Sequence, residues 1–433
     1  MSTPTGSSAV PSSEATVLAA GRPVHRLRTS CRCCGGSDLT RFLKLGPTPL
    51  ANSFLDSPNQ PEERYPLDLY YCADCSLVQL LDVIDPEVLF RDYIYVSGTS
   101  PTMREHFQRY AAEVAEYLAL QPGELSMEAA SNDGTLLAVF QQDHQSRVLG
   151  IEPARNIAAI ARARGVDTVE EFFSLETARK VKAGHGAARA LMGNNVLAHV
   201  DDPVGFLQGG AEIISEDGAV VIEVPYLGHL LERVEYDTVY HEHLSYFSVT
   251  ALARMFELAG MRLARIDRVD VHGGSIRLYG KKESVQPRHA DGVLAWIAQE
   301  KRSGMTSLEC YRTLAVQVQE NRRAIRALLE QLQADGKTVA AYGAPAKGNT
   351  LLNYCNLDRQ LVAFTVDRSP HKVGKYTPGS HLEVLPVGAL LERQPDYVLM
   401  LAWNFAEEIL KQQAEYRSRG GKFILPVPTP EVI

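Results

Sequence analysis

Apolar and polar positions alternate between helical and strand-like patterns through the middle of this 433-residue chain. Residues 103–120 have apolar side chains at helical spacing, and residues 123–130 predict a buried strand that leads into a turn and a helix. Residues 148–153 predict a second buried strand, and two more are predicted at 188–192 and 218–225. Strands that alternate with helices in this way predict an α/β fold with a largely parallel sheet.

The C-terminal third repeats the same pattern. Residues 307–335 place apolar side chains at roughly helical intervals, which predicts a long connecting helix that ends at Gly336. Residues 337–350 then predict a strand, a tight loop and a helix, and two further strands are predicted at 361–368 and 397–404. We therefore predict a second, Rossmann-like α/β unit after the long helix.

Five of the seven cysteines lie between residues 31 and 75. Four of them form the knuckles Cys31-x-x-Cys34 and Cys72-x-x-Cys75, each able to present two thiolates to one tetrahedral ion. In a reducing cytosol this spacing predicts a closed, structural zinc site, and free buried thiols are the alternative. Cys33 is expected to be a bystander, because adjacent thiolates rarely bind one structural ion.

Composition limits the possible partners and location. The net charge is −8, from 44 basic and 52 acidic residues, and the pI is near 5.9. No basic surface of the kind that binds nucleic acid is expected, and no apolar run suits a membrane span or a signal peptide. We predict a cytoplasmic protein with neither nucleic-acid nor membrane partners. The oligomeric state is left open, and a monomer is compatible with the sequence.

These patterns divide the chain into five predicted segments. They are a disordered tail rich in Ser, Thr, Pro and Ala (1–29), a small zinc-binding domain with short strands (30–88), a cofactor-binding α/β domain (89–284), connecting helices (285–335) and a Rossmann-like C-terminal domain (336–433).

The loop after the first strand of the middle domain has the chemistry of a nucleotide site. Glu128 lies near the strand end, a turn with one glycine follows, and Glu152 ends the next strand, where its carboxylate can accept both hydroxyls of a ribose. The three-glycine dinucleotide fingerprint is absent, which disfavours NAD, and the pattern resembles that of S-adenosylmethionine methyltransferases. The candidate cofactor-binding residues are Glu128, Ser131, Asn132, Asp133, Gly134, Glu152, Pro153, Asn194 and Asn195.

Groups able to transfer protons are concentrated in Tyr240-His241-Glu242-His243. Two imidazoles, a carboxylate and a phenol within four positions suggest acid/base chemistry. The two histidines are two positions apart rather than four, which argues against the hydrolytic zinc site of HExxH proteases. The alternative is that Tyr240 and His243 are hydrogen-bonded core residues.

Three further residues could complete a cleft beside this segment. His199 follows a strand end and could orient a substrate or a sulfonium, or could be an ordinary core or helix-capping histidine. Tyr93 and Tyr95 alternate onto one face of a predicted strand, where they could line a ligand cleft or simply be half-buried.

The C-terminal unit has a second set of candidate ligand contacts. The small residues, the lysine and the helix start within 342–350 suit a phosphate, although the spacing is not that of a P-loop. Lys372, Lys375 and Tyr376 follow Asp367 in a loop and could support a nucleotide, or could be solvated loop residues. The candidate substrate-binding residues are Ser97, Tyr342, Lys347, Asn349, Asp367, Arg368, Lys372 and Tyr376.

Several motifs occur together in one order along the chain. They are the two Cys-x-x-Cys knuckles, Ser131-Asn132-Asp133-Gly134, Asn194-Asn195-Val196-Leu197-Ala198-His199, Tyr240-His241-Glu242-His243-Leu244-Ser245-Tyr246-Phe247, Tyr342-Gly343-Ala344-Pro345-Ala346-Lys347-Gly348-Asn349-Thr350 and Leu401-Ala402-Trp403-Asn404-Phe405. From Cys31 onward the chain resembles the TDP-deoxysugar C-methyltransferases of antibiotic biosynthesis, which methylate C-3 of 4-keto-6-deoxyhexoses. One departure is the segment 189–193, where an acid-led strand would be expected.

This resemblance implies a zinc-binding N-terminal domain, a central S-adenosylmethionine domain and a Rossmann-like C-terminal domain, with a TDP-4-keto-deoxysugar in the cleft between them. It implies His243 as the general base and Glu242 as the acid that holds the sugar. The same cleft would be lined by His199, Tyr240 and either Tyr93 or Tyr95. A 4-keto group acidifies the proton on C-3, so a base of near-neutral pKa can remove it, and the enolate can attack the sulfonium methyl. This chemistry does not require the zinc ion.

Two other functions fit parts of the sequence. A second Rossmann-like unit could bind NADPH, so the enzyme could both methylate and reduce the same 4-keto sugar, and hydride consumption would distinguish this bifunctional enzyme. Alternatively, the zinc knuckles could be the functional part of a non-catalytic protein. The acidic pI and the Tyr/His/Glu cluster disfavour that hypothesis, and failure to bind S-adenosylmethionine would support it.

Overall fold

The computed structural model of the protein describes residues 23–91, 93, 96–99, 101–270 and 274–433. Four β-sheets lie within this part of the chain. Tyr95 and residues 1–22 of the predicted tail lie outside the described residues. The same part of the chain contains no helix that is both long and apolar enough to cross a membrane.

The N-terminal region consists of short antiparallel strands. Its elements are β1 (His25–Leu27), β2 (Leu39–Lys44), β3 (Asp68–Cys72), β4 (Val78–Leu80), β5 (Asp82–Ile84) and helix α1 (Pro86–Phe90). Strands β1 and β5 form a two-stranded sheet, with His25 opposite Ile84. The prediction of a disordered tail up to residue 29 is therefore wrong for its last part, because this segment is held by pairing with a strand more than fifty residues away.

The middle region contains a seven-stranded sheet. Its elements are α2 (Pro101–Leu118), β6 (Leu125–Ala129), α3 (Thr135–Asp143), β7 (Arg147–Ile151), α4 (Arg155–Ala163), β8 (Thr168–Val169), α5 (Leu175–His185), β9 (Ala188–Asn194), α6 (Pro203–Ile213), β10 (Ile214–Pro225), α7 (Leu227–Arg233), β11 (Ser245–Tyr246), α8 (Val249–Leu258), β12 (Met261–Val269) and β13 (Ser275–Lys282). Short 3₁₀ helices cover Ser97–Thr99, Leu197–His199 and Tyr236–Thr238. The strand order is β12-β13-β10-β9-β6-β7-β8, and β13 runs antiparallel to its neighbours.

This order confirms the predicted α/β fold and locates its ligand-binding edge. Starting from β6, the chain builds the sheet first in one direction through β7 and β8, and then in the other through β9 and β10. In open α/β sheets, ligands bind at the carboxyl ends of the strands where the order reverses. The loops that follow β6, β7 and β9 meet at that place.

The C-terminal region has a second sheet of the same design. Its elements are α9 (Asp291–Arg302), α10 (Leu308–Ala334), β14 (Val339–Tyr342), α11 (Ala346–Tyr354), β15 (Thr365–Asp367), β16 (Val384–Pro386), α12 (Ala389–Arg393), β17 (Tyr397–Met400), a 3₁₀ helix (Trp403–Phe405), α13 (Ala406–Gln412), α14 (Ala414–Ser418), β18 (Lys422–Leu425) and β19 (Glu431–Val432). The order is β16-β15-β14-β17-β18-β19, parallel except for β19. The predicted long helix is confirmed as α10, with Ser307 at its N-cap.

Strand β11 joins the middle region to the N-terminal sheet. It pairs with β4, so the four-stranded sheet has the order β11-β4-β3-β2. Leu80 N donates to Leu244 O at 3.0 Å, and Leu244 N donates to Ala198 O at 2.7 Å. The Tyr240–His243 segment, which directly precedes β11, is therefore held between the cysteine-containing sheet and the loop that follows β9.

Candidate functional site

The four predicted zinc ligands come together in the structure. The thiol sulfurs of Cys31, Cys34, Cys72 and Cys75 all lie within 4.8 Å of one another, and three of the four residues are buried. Cys31 and Cys75 are 3.5 Å apart at Sγ, close to the roughly 3.8 Å edge of a tetrahedron with zinc–sulfur bonds of about 2.3 Å.

Two hydrogen bonds to these sulfurs suit thiolates bound to a cation. Gln79 Nε2 donates to Cys31 Sγ at 3.1 Å, and Gly36 N approaches Cys34 Sγ at 3.4 Å. Donors that face ligand sulfurs orient them and stabilise their negative charge. The donor set thus fits Zn²⁺, and four protein ligands leave no open coordination position for catalysis.

Glu128 lies at the reversal point of the central sheet. Its Oε1 accepts a hydrogen bond from Asn194 Nδ2 at 2.9 Å, which connects the ends of β6 and β9. Its Oε2 is buried without a hydrogen-bond partner. Burial raises the pKa of the Glu128 carboxyl from 4.5 to about 8, since little in its surroundings compensates the lost hydration of the charged form.

The loop between β6 and α3 is held in a strained, turn-rich conformation. Asn132 has a positive φ of 49°, and its backbone N–H donates to Glu152 Oε2 at 2.9 Å. Ala154 N, just past Pro153, donates to the other oxygen, Oε1, at 2.8 Å. Because both oxygens also keep free lone pairs, Glu152 can still accept the ribose hydroxyls predicted for it.

Asp133 and Gly134 shape this loop. The Asp133 carboxylate accepts hydrogen bonds from Gly98 N and the Thr135 hydroxyl, and it also pairs with Arg164 at 2.8 Å. Gly134 has a φ of +72°, and a Cβ there would lie 3.1 Å from the Val166 side chain. Ser97 N donates to Asn132 Oδ1 at 2.9 Å, so the candidate substrate contact Ser97 lies against this loop.

Buried polar atoms at this edge support the fit to S-adenosylmethionine. Among the described residues, Ser131 Oγ, Asn194 Oδ1 and Asn195 Oδ1 are buried without a hydrogen-bond partner, as is Glu128 Oε2. Leaving such atoms unpaired costs about 1–3 kcal/mol each, so the edge is suited to a ligand rich in amino, carboxylate and hydroxyl groups. S-adenosylmethionine has all of these.

The raised pKa of Glu128 predicts a pH-dependent stability. The folded carboxyl keeps its proton up to about pH 8, whereas the unfolded one loses it near 4.5, so stability falls as the pH rises between these values. In cofactor-free protein, the free energy of unfolding of wild type should fall relative to that of Glu128→Gln as the pH rises. From pH 5 to pH 8.5 the difference between the two proteins should change by up to about 4 kcal/mol in favour of the variant. Urea unfolding at both pH values measures this. An exposed change, Glu407→Gln, is the control, and an equal stability difference at both pH values would contradict the prediction.

Tyr240 and His243 form a directed hydrogen-bonded pair. His243 Nδ1 lies 3.0 Å from the carbonyl oxygen of Thr238, which can only accept, so the ring proton is on Nδ1. Nε2 is then the acceptor nitrogen of the ring, and the Tyr240 hydroxyl donates to it at 2.8 Å. Burial raises the pKa of Tyr240 well above its usual range, so the phenol stays protonated and the imidazole is the base of the pair.

His199 lies directly beside this pair. Its ring is 4.9 Å from the His243 ring in an edge-to-face arrangement, and 5.4 Å from the Phe90 ring at a right angle. Burial lowers the pKa of His199 to about 4, so it is uncharged at neutral pH. His199 follows Asn194 and Asn195 on the same loop, so this loop carries both candidate cofactor contacts and a neighbour of the His243 ring.

Glu242 is held by residues from all three regions. Asn52 Nδ2 donates to its Oε1 at 2.6 Å, and the Tyr93 hydroxyl lies 3.5 Å from its Oε2. Burial raises the pKa of Glu242 to about 7, although Asn52, Tyr93 and Lys372 act in the opposite direction. The structure thus brings together the predicted residues Tyr93, His199, Tyr240, Glu242 and His243. Tyr93 does not belong to a strand, and Tyr95 lies outside the described residues.

The C-terminal unit contributes Lys372 to this cleft. Its Nζ donates to Ala344 O at 2.9 Å and lies 5.3 Å from the centre of the Phe54 ring. Burial lowers the pKa of Lys372, against the attraction of Asp367 and Glu242. Asp367 accepts from Ala344 N at 2.7 Å, which fixes the loop before α11.

The other candidate substrate contacts of this unit are placed in different ways. Tyr342 is buried at the end of β14, and Tyr376 forms a bridge with Leu55. Asn349 donates to Ala51 O at 2.7 Å, while its own side-chain oxygen is buried without a hydrogen-bond partner. Lys375 pairs with Asp56 at 3.2 Å.

Two candidate substrate contacts, Lys347 and Arg368, are engaged by other side chains of the C-terminal unit. The Lys347 ammonium is buried, donates to Asn404 and lies 3.7 Å from the centre of the Trp403 ring. Burial lowers its pKa to about 8, and the negative charges of Asp237 and Glu235 oppose this shift. Arg368 is exposed and pairs with Glu408 at 3.3 Å. The pattern of strand, loop and helix predicted α11 correctly but not the neighbours of the Lys347 side chain.

The Tyr240–His243 segment is fixed by a set of contacts that the sequence did not predict. Trp403 Nε1 donates to Asp237 at 2.6 Å, and the Thr350 hydroxyl donates to Val239 O at 2.8 Å. Asn52 was missed as well. These contacts could not be predicted from local patterns, because the two partners of each contact lie more than one hundred residues apart along the chain. The sequence indicated Trp403 and Thr350 only as members of motifs.

Family models match nearly the whole described chain. A zinc-binding domain model matches residues 31–90, a methyltransferase domain model matches residues 103–265, and a C-methyltransferase C-terminal domain model matches residues 270–428. The curated protein C-methyltransferase NovU of Streptomyces niveus is 38% identical over 405 residues, which cover 93% of this chain and 96% of NovU.

Two solved structures are similar to part of the chain. Magnesium protoporphyrin IX methyltransferase ChlM from Synechocystis, with bound S-adenosylmethionine, is 12% identical and covers 41% of this chain and 79% of ChlM, with a TM-score of 0.32. The YcgJ protein from Bacillus subtilis is 11% identical and covers 41% of this chain and 99% of YcgJ, with a TM-score of 0.33. Likeness at this level supports no conclusion about function.

The identity to NovU extends over all three regions, and each region also matches its own family model. The cysteine cluster and the polar edge of the central sheet agree with the zinc and the cofactor that these matches imply. The chain therefore belongs to the C-methyltransferase family that includes NovU, and it is an S-adenosylmethionine-dependent enzyme with a zinc-binding N-terminal domain.

Proposed function

We propose that this enzyme methylates C-3 of a TDP-4-keto-6-deoxyhexose in the biosynthesis of an antibiotic deoxysugar, and that it acts in the cytoplasm. The main support is the His243 imidazole. The Thr238 carbonyl fixes the ring proton on Nδ1, and the ring lies 4.9 Å from that of His199, which belongs to the loop that carries Asn194 and Asn195. A carbon nucleophile has to be generated before a C-methylation, and this arrangement provides the base that generates it.

The chemistry assigns a role to each group in the cleft. His243 Nε2 accepts the proton from C-3, and the electrons of that C–H bond form the C-3/C-4 double bond while the C-4 carbonyl electrons move to oxygen. When bound, S-adenosylmethionine supplies an electrophilic methyl group. Tyr240, which keeps its proton, can donate to the C-4 oxygen as negative charge develops there.

Glu242 and His199 are proposed to hold and shield the sugar. Glu242 is a buried acceptor that suits a sugar hydroxyl, and Lys372 and Asp367 border the same cleft from the C-terminal unit. Because His199 is uncharged at neutral pH, it adds no positive charge that would repel a sulfonium. We propose that Tyr342, Asn349 and Tyr376 contact the nucleotide portion.

A substrate panel tests this proposal. Incubation with S-adenosylmethionine and TDP-4-keto-6-deoxyhexoses that differ at C-2 and C-3 should give a product heavier by one CH₂ group, and NMR should locate the new methyl on C-3. A methyl group on C-5, the other carbon next to the ketone, would refute the assignment of position. Parallel reactions with NADPH test the bifunctional alternative, in which methylation would be accompanied by hydride consumption.

A further inference from the structure

The zinc-binding domain supplies a side chain to the sugar cleft. Asn52 lies in a loop between β2 and β3, and its Nδ2 donates to Glu242 Oε1 at 2.6 Å, although 190 positions separate the two residues. Among the described residues, this is the shortest hydrogen bond that the structure gives the Glu242 carboxylate. Glu242 itself is almost fully buried, with 4% of its surface exposed.

The loop that bears Asn52 is fixed by the C-terminal unit. Asn349 Nδ2 donates to Ala51 O at 2.7 Å, immediately before Asn52. Leu55 and Tyr376 exchange two backbone hydrogen bonds, at 2.9 and 2.8 Å. Because the loop is tied on both sides of Asn52, its amide is held in place before any ligand binds, as required of a group that orients another.

We propose that Asn52 is a positioning residue that holds Glu242 as an ionised acceptor, with Oε1 bound by Asn52 and Oε2, which the Tyr93 hydroxyl approaches, accepting from the substrate. The proposal rests on the proposed function for the identity of the substrate, but not for the contact itself. A carboxylate oxygen accepts from the Asn52 amide, which has two N–H donors, so this bond stabilises the charged form.

Other charged and titratable groups face Glu242 from every neighbouring element. Lys372 lies on the C-terminal loop, Tyr93 precedes the central sheet, and Tyr240 is near the carboxyl in the middle region, where His199 faces the Glu242 backbone. Burial raises the pKa of Glu242, and Asn52 is the first of the groups that lower it, followed by Tyr93 and Lys372. Loss of Asn52 should therefore raise this pKa further.

Titration of Glu242 in three variants tests the role of Asn52. The carboxyl signal of ¹³C-labelled glutamate is followed by NMR from pH 4 to pH 10 and assigned by difference against Glu242→Gln. We expect Asn52→Ala to raise the midpoint by about one pH unit, a tenfold change in the ionisation constant. Asn52→Asp should raise the midpoint more, because a second carboxylate repels the first. Asn52→Gln keeps an amide donor, so its midpoint should lie between those of wild type and Asn52→Ala.

The matched control is Asn59→Ala, which makes the same change at an exposed position of the same domain. It should leave both the midpoint and the steady-state kinetics unchanged. For Asn52→Ala we also expect kcat/KM at pH 7 to fall about tenfold, mainly through KM, with the acidic limb of its pH profile moved upward. Zinc content and thermal melting confirm that each variant is folded.

The outcomes separate the two proposals. A midpoint that is unchanged in both Asn52→Ala and Asn52→Asp overturns the positioning role, whatever happens to turnover. A raised midpoint in an enzyme that methylates none of the TDP-sugars would refute the proposed substrate and leave the role of Asn52 intact.

Discussion

Replacement of His243 by alanine should lower kcat about 10³-fold while leaving the affinity for S-adenosylmethionine within about twofold of wild type. The imidazole has its Nδ1 proton fixed by Thr238 O, so Nε2 is the basic atom, and Glu242, the carboxyl in the same cleft, is engaged by Asn52. His199 is held neutral by burial, and Tyr240 keeps its proton. Neither can replace the missing base.

Proton exchange isolates this step from methyl transfer. In D₂O with S-adenosylhomocysteine present, wild type should replace the C-3 hydrogen of the 4-keto sugar with deuterium, whereas His243→Ala should not. Tyr240→Phe should exchange slowly, about 10- to 100-fold below wild type, because the base remains but loses its neighbouring donor. Isothermal titration with S-adenosylmethionine gives the cofactor affinity of each variant.

His241 provides the control for these measurements. It is two positions from His243, but its Nε2 faces the carbonyl oxygens of Tyr65 and Pro66 at 3.3 and 3.1 Å, away from Tyr240. His241→Gln keeps a donor for those carbonyls and should change thermal stability more than deuterium exchange. Normal exchange by His243→Ala would show that another group removes the C-3 proton.

The parts of this site that could be predicted from sequence have local causes. The strand-loop-helix pattern around Asn132 follows from apolar periodicity and turn chemistry, and it located the polar edge of the central sheet. The two cysteine knuckles were predictable because the two ligands of each pair are three positions apart. Likewise, Tyr240 and His243 are close in the chain, so a short turn brings them into contact.

The failures have long-range causes. Strand β1 is only three residues long and has no alternating pattern, and it is ordered by pairing with β5. Lys347 lies in the first turn of α11, where the sequence predicts that the helix starts but not which neighbour the side chain meets. In the structure it meets Asp237 and Trp403, whose positions depend on how two separate sheets pack. The contact between Asn52 and Glu242 likewise depends on how separate regions pack, since 190 positions separate the two residues.

Removal of zinc should abolish methyl transfer while sparing the cofactor site. The Tyr240–His243 segment is followed by β11, whose partner in the N-terminal sheet is β4, and β4 begins three residues after Cys75. Without the ion, the four cysteines are no longer held together, and the sheet loses its main constraint. Other small zinc domains unfold without metal for the same reason. The base and Glu242 would then lose their support from β4 and Asn52.

A second set of contacts connects the zinc-binding domain to the loop that carries His199. Arg28 Nη1 donates to Asp201 O at 3.1 Å, and Arg32, which lies within the first cysteine knuckle, pairs with Asp201 at 3.1 Å. Burial alone would raise the pKa of Asp201, but Arg32 and Arg28 outweigh it and lower the pKa, so this carboxylate is ionised in the folded protein. Unfolding of the knuckle would leave Asp201, two residues from His199, without its cations.

Cys34→Ser and treatment of wild type with a zinc chelator should both reduce turnover at least about 10²-fold, because displacement of a catalytic group by about 1 Å can have that effect. Binding of S-adenosylmethionine should persist, since Glu128 and Asn194 lie on strands of the central sheet and Glu152 directly follows β7. Hydrogen exchange should show faster labelling of residues 240–246, and atomic emission should show loss of the metal. Cys33→Ser, which alters a neighbouring cysteine outside the ligand group, should retain zinc and activity. Full turnover by metal-free enzyme would show that the Tyr240–His243 segment keeps its position without the zinc-binding sheet.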